Sequence, residues 1–435
     1  MSTLDRDLAA VRNAISKKQP FVTGTHPLTD NSGLFFFRTG GGTGARCIDL
    51  ANADDASLQV LLEACQPAPF GVDNKDVLDE TYRRAWKMDN ANFATRLDVV
   101  NTGILESIRS MLMQGNENKK IRPEMYKLNV YGSGSFFKAH KDTPRGENMF
   151  GSLVVVFPTR HEGGALQLHH KGQEWTFDSA SITSTQNVPS IAYVAFYGDV
   201  EHEVSMVTSG YRVTLTYNLY FDDDTTSNPS PSYHSWMKED ELALRTSLSA
   251  LLNHRDLLPD GGYLGFGLEF MYPVARGTIQ GLINSLKGSD AMIKLVLSQL
   301  NFQPQVKIIY EDNEDSYPEG EMYADQLPLK RPHIMLDDED ELPDWGTEDP
   351  FRVSLPEANH GIVICGADEV GEYPNYGRGV IRAKKVLWVT PQTTFNSLKS
   401  PYVAYGNEAS LGFSYGNVCL VAEVLPSGKR VKCTT

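Results

Sequence analysis

Between residues 121 and 221 the chain is cut into eight short strand-like runs: MYKLNVYG, SFFKAHKD, GSLVVVFP, GALQLHH, QEWTFD, SIAYVAFYG, HEVSMVT and YRVTLTYNLYF. β-Branched and aromatic residues dominate them, and Gly, Pro and Asp punctuate the joins. That density of short strands predicts a β-sandwich or jelly roll. The flanking sequence has another texture, so this stretch, bounded at 121–222, is expected to be the core of the fold.

Residues 1–120 mix helical and loop-like stretches. MSTLDRDLAAVRNAISKKQP reads as an amphipathic helix with no apolar signal-peptide core. DASLQVLLEAC and NFATRLDVVNTGILESIRSMLMQ carry apolar residues at helical spacing, and the second is long enough to buttress a sheet. FFFRTGGGTGARCIDL places a glycine cluster between two apolar runs and lacks the Gly-Lys-Ser/Thr ending of a phosphate-binding loop, so it is read as a hairpin. Residues 223–238, with acidic, Ser and Pro residues, read as a linker. Residues 239–435 read as a separate α+β module. It holds helix-like TIQGLINSLKGSDAMIKLVLSQLN, strand-like HGIVICG, KKVLWVTP and GNVCLVAEVLP, and the acidic run LDDEDELPDWGTED, expected to be a solvated loop.

Composition narrows the class. The 435 residues are 41% hydrophobic and 22% charged, as in an ordinary globular protein, with no stretch of membrane-span length. The net charge of −15 argues against nucleic acid as a partner, which calls for a basic footprint. Cys47, Cys65, Cys365, Cys419 and Cys433 are scattered, with no zinc-ligand spacing. That points to a reduced compartment, cytoplasm or nucleus.

His140 and Asp142 lie two residues apart in a strand-like run, so alternation turns both to one face. By itself the pair is either a hydrogen-bonded core couple or part of a metal site. GDVEHEVSMVTSGYRVTLTYNLYFDD then supplies His202, Arg212 ten residues later, and Thr214. Two histidines and a carboxylate on a β scaffold can form the facial triad that holds Fe(II) with open positions for a keto acid and O2. A permanently charged Arg212 in an apolar barrel needs an anion, and the far carboxylate of a dicarboxylate co-substrate fits. Thr214 shares Arg212's face, and Tyr131 shares a face with Asn129. Regular alternation would also put Phe136 and Lys138 beside His140. His161, His169 and His170 are rival ligands, but they lack an arginine at that spacing.

The ordered set HKD, GGALQL, HEV and the following arginine resembles the prolyl-4-hydroxylase-like branch of the 2-oxoglutarate/Fe(II) dioxygenases. YRVTLTYNLYFDD is similar to the last core strand of the oxygen-sensing protein prolyl hydroxylases. The resemblance covers residues 121–222. It implies a mainly β protein with flanking α, a double-stranded β-helix core with His140, Asp142 and His202 on iron, and Arg212 on the distal carboxylate of 2-oxoglutarate. Tyr131 and Thr214 match assisting positions. The implied activity is hydroxylation of a C–H bond, of a protein residue such as proline or of a small molecule, with release of succinate and CO2. The cofactor set is Fe(II), 2-oxoglutarate and O2, with ascorbate as accessory reductant. Larger relatives carry a degenerate second β-helix, a layout open to residues 239–435. The rival reading from another class is a catalytically silent metal-binding β-helix that serves as an interaction scaffold.

Overall fold

The strand-rich stretch folds into two antiparallel sheets between which the chain passes back and forth. The coordinates are a computed structural model that describes residues 2–15, 18–29, 31–39, 44–72, 75–146, 148–222, 239–275, 277–310, 333–337, 361–375, 379–404 and 410–433. The larger sheet has seven strands, and its centre runs Ser190–Tyr197, Met149–Val156, Arg212–Asp222 and Lys120–Tyr131. The smaller has five, running Gln173–Phe177, Leu166–His170, Glu201–Val204, Phe136–His140 and Arg83–Arg84. From Lys120 onward the chain crosses repeatedly between the two sheets, with Leu166–His170 and Gln173–Phe177 as a hairpin within the smaller one and His161–Gly163 paired with Val207–Gly210 outside both, which is a jelly roll. All eight runs read from the sequence are strands.

Apolar patterning explains the layering. Ser190–Tyr197 is buried along its whole length, on both faces of its sheet. One face belongs to the sandwich interior, and helix Ile104–Leu112 packs near the other, burying Ile104, Leu105, Ile108 and Leu112. This helix is the expected buttress, shorter than its periodicity suggests. Phe93–Thr95 pairs as a strand with Phe35–Phe37 instead. Asp98 then caps a single 3-10 turn, and Gly103, at φ 76°, opens the helix from a left-handed conformation that a β-carbon would resist. Leu34–Arg38 and Ala45–Asp49 form the expected hairpin. Its glycine-rich tip, residues 40–43, lies outside the described residues.

Contacts divide the chain into one unit of residues 18–229 and another of residues 1–17 with 230–435. This differs from a support region spanning 1–120. Helix Thr3–Ala14 packs on helix Glu239–Asn253, and Arg12 donates to the carbonyls of Val389 (2.6 Å) and Trp388 (3.0 Å). Those long-range contacts tie the N-terminal helix to the last third of the chain, and no local pattern announces them.

In the second unit six strands pair in a ring: Gly262–Gly267, Lys384–Thr390, Ile362–Gly366, His333–Leu336, Pro304–Tyr310 and Ser410–Val424, which returns to Gly262–Gly267. Two of these pairings are parallel. Each strand sends a residue into one buried cluster: Tyr263, Val386, Ile364, Met335, Ile309, and Cys419 with Val421. Among the described residues this is a mixed barrel, unlike the two facing antiparallel sheets of a second β-helix. The linker at 223–238 and most of the acidic run, residues 338–349, lie outside the described residues. No helix among them is long and apolar enough to cross a membrane.

Candidate metal and co-substrate site

Strand pairing brings the two histidines together. His140 lies opposite His202 across the antiparallel Phe136–His140 and Glu201–Val204 strands. Their rings stand 4.2 Å apart. Asp142 sits two residues past the strand end, and its Oδ1 is 3.9 Å from His202 Nε2. One ligand atom from each of His140, Asp142 and His202 lies within 4.8 Å of the others, a spacing one ion can bridge.

Each imidazole is held in the tautomer a metal needs. His140 Nδ1 is 2.8 Å from the Lys138 carbonyl, and His202 Nδ1 is 3.0 Å from that of Val200. A carbonyl only accepts, so both Nδ1 atoms carry the proton and both Nε2 lone pairs are left for the ion. Phe137 stacks on His140 at 3.6 Å, and the fully buried Phe196 lies 4.6 Å from His202, so the rings are fixed by packing. Burial, reinforced by neighbouring His202, pushes the His140 conjugate acid down to about 3, keeping the ring neutral. Ser152 donates to Asp142 Oδ2 at 2.5 Å. Burial opposes ionisation of Asp142, but His202 and the Ser152 hydroxyl hold its carboxyl below the usual range.

The cation at the other end is Arg212, which is 1% exposed. Its Nε and one terminal nitrogen have no hydrogen-bond partner among the described residues. Such donors are rare in a finished core and call for an anion. Room for the side chain comes from the Gly-Gly pair: Gly164 has φ +70°, and a β-carbon there would lie 2.9 Å from Arg212 Cδ. Tyr131 is the cross-strand partner of Arg212, whose guanidinium lies 5.5 Å from the tyrosine ring centre. Thr214 is buried on the same face, opposite Asn129.

His140, Asp142, His202, Arg212, Thr214 and Tyr131 all line one cavity of about 240 Å³. His161 instead bonds the Thr159 carbonyl, and His169 faces Glu174 at 3.7 Å, so neither joins the cluster. Regular alternation fails at His140. The register shifts between Phe137 and His140, so Phe137, not Phe136 or Lys138, lies beside the imidazole. Asn129 also lines the cavity, accepting from Arg83 at 2.9 Å and donating to Thr216 at 3.3 Å. Ser152 and Arg83 are additions that no spacing pattern marks. Ser152 sits in an apolar run, and Arg83 comes from a two-residue strand.

Residues 126–220 match the family model described as the 2OG-Fe(II) oxygenase superfamily. No curated protein matches the chain by sequence. Among solved structures, a prolyl-4-hydroxylase from Pseudomonas putida is 18% identical, with a TM-score of 0.29, over 49% of this chain and 98% of that one. A prolyl hydroxylase from Trichoplax adhaerens, in complex with a hypoxia inducible factor oxygen degradation domain peptide fragment, is 14% identical, with a TM-score of 0.31, over 51% of this chain and 94% of that one. A prolyl 4-hydroxylase from Phytophthora capsici is 18% identical, with a TM-score of 0.25, over 57% and 79% respectively. Likenesses this loose assign no residue.

Proposed function

We propose that this chain, whose residues 126–220 match the 2OG-Fe(II) oxygenase superfamily model, hydroxylates a C–H bond of a protein residue, with proline the first to try, or of a small molecule. The observation that supports this most is the buried Arg212, with two unsatisfied donors in the same cavity as the His140, Asp142 and His202 cluster. Two imidazoles with free Nε2 atoms and a carboxylate suit Fe(II), and the guanidinium suits the distal carboxylate of 2-oxoglutarate. When bound, these groups supply the oxidative chemistry: O2 is consumed, the keto acid becomes succinate and CO2, and one oxygen atom ends in the substrate hydroxyl.

The chain's own residues orient and exclude. The Lys138 and Val200 carbonyls hold the histidine tautomers, and Ser152 fixes the Asp142 carboxylate. Arg212 sets the direction of the co-substrate, with Thr214 and Tyr131 flanking it. Phe137 and Phe196 keep water from the histidine rings. With Fe(II) bound, Asp142 would be the carboxylate ligand in the place a halide would otherwise take, which favours hydroxylation. Ascorbate serves as accessory reductant, and the reduced compartment indicated by the cysteines suits a ferrous site.

The test is turnover with isotopically labelled O2. Protein supplied with Fe(II), ascorbate and 2-oxoglutarate is screened against proline peptides and small molecules, and succinate release and label in the product are read together. Succinate in proportion to labelled product supports the reading. Labelled product with no demand for 2-oxoglutarate refutes it.

A further inference from the structure

The cavity carries more positive charge than its co-substrate needs. Arg83, Lys87, Lys127, Lys141, Arg145 and Arg212 line it, and Asp142 is its only carboxylate among the described residues. The chain as a whole bears −15, so this is a local reversal of sign. Lys87 is paired with Asp89 at 2.9 Å, and Arg83 is engaged by the Pro69 carbonyl and Asn129. Lys127 and Arg145 differ. Lys127 Nζ and Arg145 Cζ each lie 4.4 Å from the centre of the Tyr126 ring, and Arg145 donates to the Tyr126 hydroxyl. Neither has a salt-bridge carboxylate among the described residues.

The ladder separates this corner from Arg212. On Lys120–Tyr131, Lys127 pairs with Thr216, Asn129 with Thr214 and Tyr131 with Arg212. Lys127 and Tyr131 are four residues apart on one strand face, roughly 13 Å at the ordinary strand rise. A five-carbon dicarboxylate anchored on the metal and on Arg212 does not also satisfy Lys127. Burial, and after it the charge of Arg83, pushes Lys127 down to about 7 against the pull of the Asp142 carboxylate.

From the geometry we infer that the primary substrate of this site carries a carboxylate or phosphate group, which it seats on the Lys127–Tyr126–Arg145 corner while the reacting C–H bond faces the metal. This rests on the hydroxylase reading and adds a substrate class to it. The two cations give a monodentate and a forked partner for one anion, with the Tyr126 ring holding both in place.

Three labelled peptides of equal length, with a central proline flanked by glutamate, glutamine or lysine, are titrated by fluorescence anisotropy. The full chain is used under nitrogen, both metal-free and loaded with Fe(II) and 2-oxoglutarate. Inorganic phosphate is titrated calorimetrically beside them. The glutamate peptide is expected to bind at least tenfold tighter than the glutamine peptide, with the advantage reduced by salt. Lys127→Ala/Arg145→Ala is expected to erase the preference and Lys127→Arg to keep it, with 2-oxoglutarate affinity within about twofold of wild type. Phosphate binding lost in the double variant, with no peptide preference, assigns the anion to a small molecule and also supports the inference. Equal binding of all peptides together with no phosphate binding overturns it. So does an equal loss of 2-oxoglutarate affinity in the double variant, which would give the corner to the co-substrate. Failure of the wild type to bind 2-oxoglutarate sinks the hydroxylase reading instead, while the metal-free titration still reads the corner.

Discussion

At the scale of single residues, each candidate ligand is fixed by a neighbour. His140 is the sharpest case, since burial and His202 push its conjugate acid from the ordinary 6.5 down to about 3. The sign follows from proton linkage. Between those limits the unfolded chain binds a proton that the folded one refuses, so stability falls as pH drops below about 6.5 and goes on falling toward 3. Asp142, whose carboxyl is held below its usual range, adds to this loss in acid. Metal-free His140→Asn should therefore show a shallower decline of thermal midpoint with acidity than wild type; parallel curves would contradict the assignment. The gathering of His140, Asp142, His202 and Arg212 in one cavity was legible in the sequence because ligand chemistry fixes both residue type and order. Ser152 and Arg83 were not, because a serine in an apolar run or an arginine in a two-residue strand is defined only by what the fold brings opposite it.

At the scale of elements, the Gly163–Gly164 corner connects backbone geometry to charge. Gly164 at φ +70° leaves the space that Arg212 Cδ and Val207 fill. Gly164→Ala should cost roughly 1–3 kcal/mol in strained backbone, and it should weaken 2-oxoglutarate binding by displacing the guanidinium. Denaturant unfolding and co-substrate titration on one preparation check both parts; a destabilised variant with intact affinity would separate the glycine from Arg212. Strand runs were readable throughout this unit from residue type and punctuation. What escaped was local irregularity. The shift between Phe137 and His140 swaps the face on which a neighbour lies, and the turn residues before Ile104 cut a long helical pattern to nine residues. Periodicity counts residues and does not register a bulge.

At the scale of the whole molecule, the N-terminal helix is readable as a helix, and the unit it joins is the least readable feature. The helix belongs with residues 230–435 because Val11 is buried and Arg12 caps the carbonyls of Trp388 and Val389, partners far away in sequence. Removing residues 1–17 should accelerate hydrogen exchange in the Lys384–Thr390 strand and leave 2-oxoglutarate affinity unchanged; unaltered exchange there would mean the helix adds nothing to that unit. The central claim is that the cluster of His140, Asp142 and His202 takes Fe(II) while Arg212 orients the co-substrate. The most direct measurement is an anaerobic titration of Fe(II)-loaded protein with 2-oxoglutarate, following the visible charge-transfer band of the chelated keto acid. The account predicts a saturable band in wild type and none in Asp142→Ala. In Arg212→Ala the band should need roughly ten- to a hundredfold more 2-oxoglutarate, as expected for loss of a charge-assisted pair. Iron bound with no band in wild type, or an Arg212→Ala titration that overlays it, would contradict the claim.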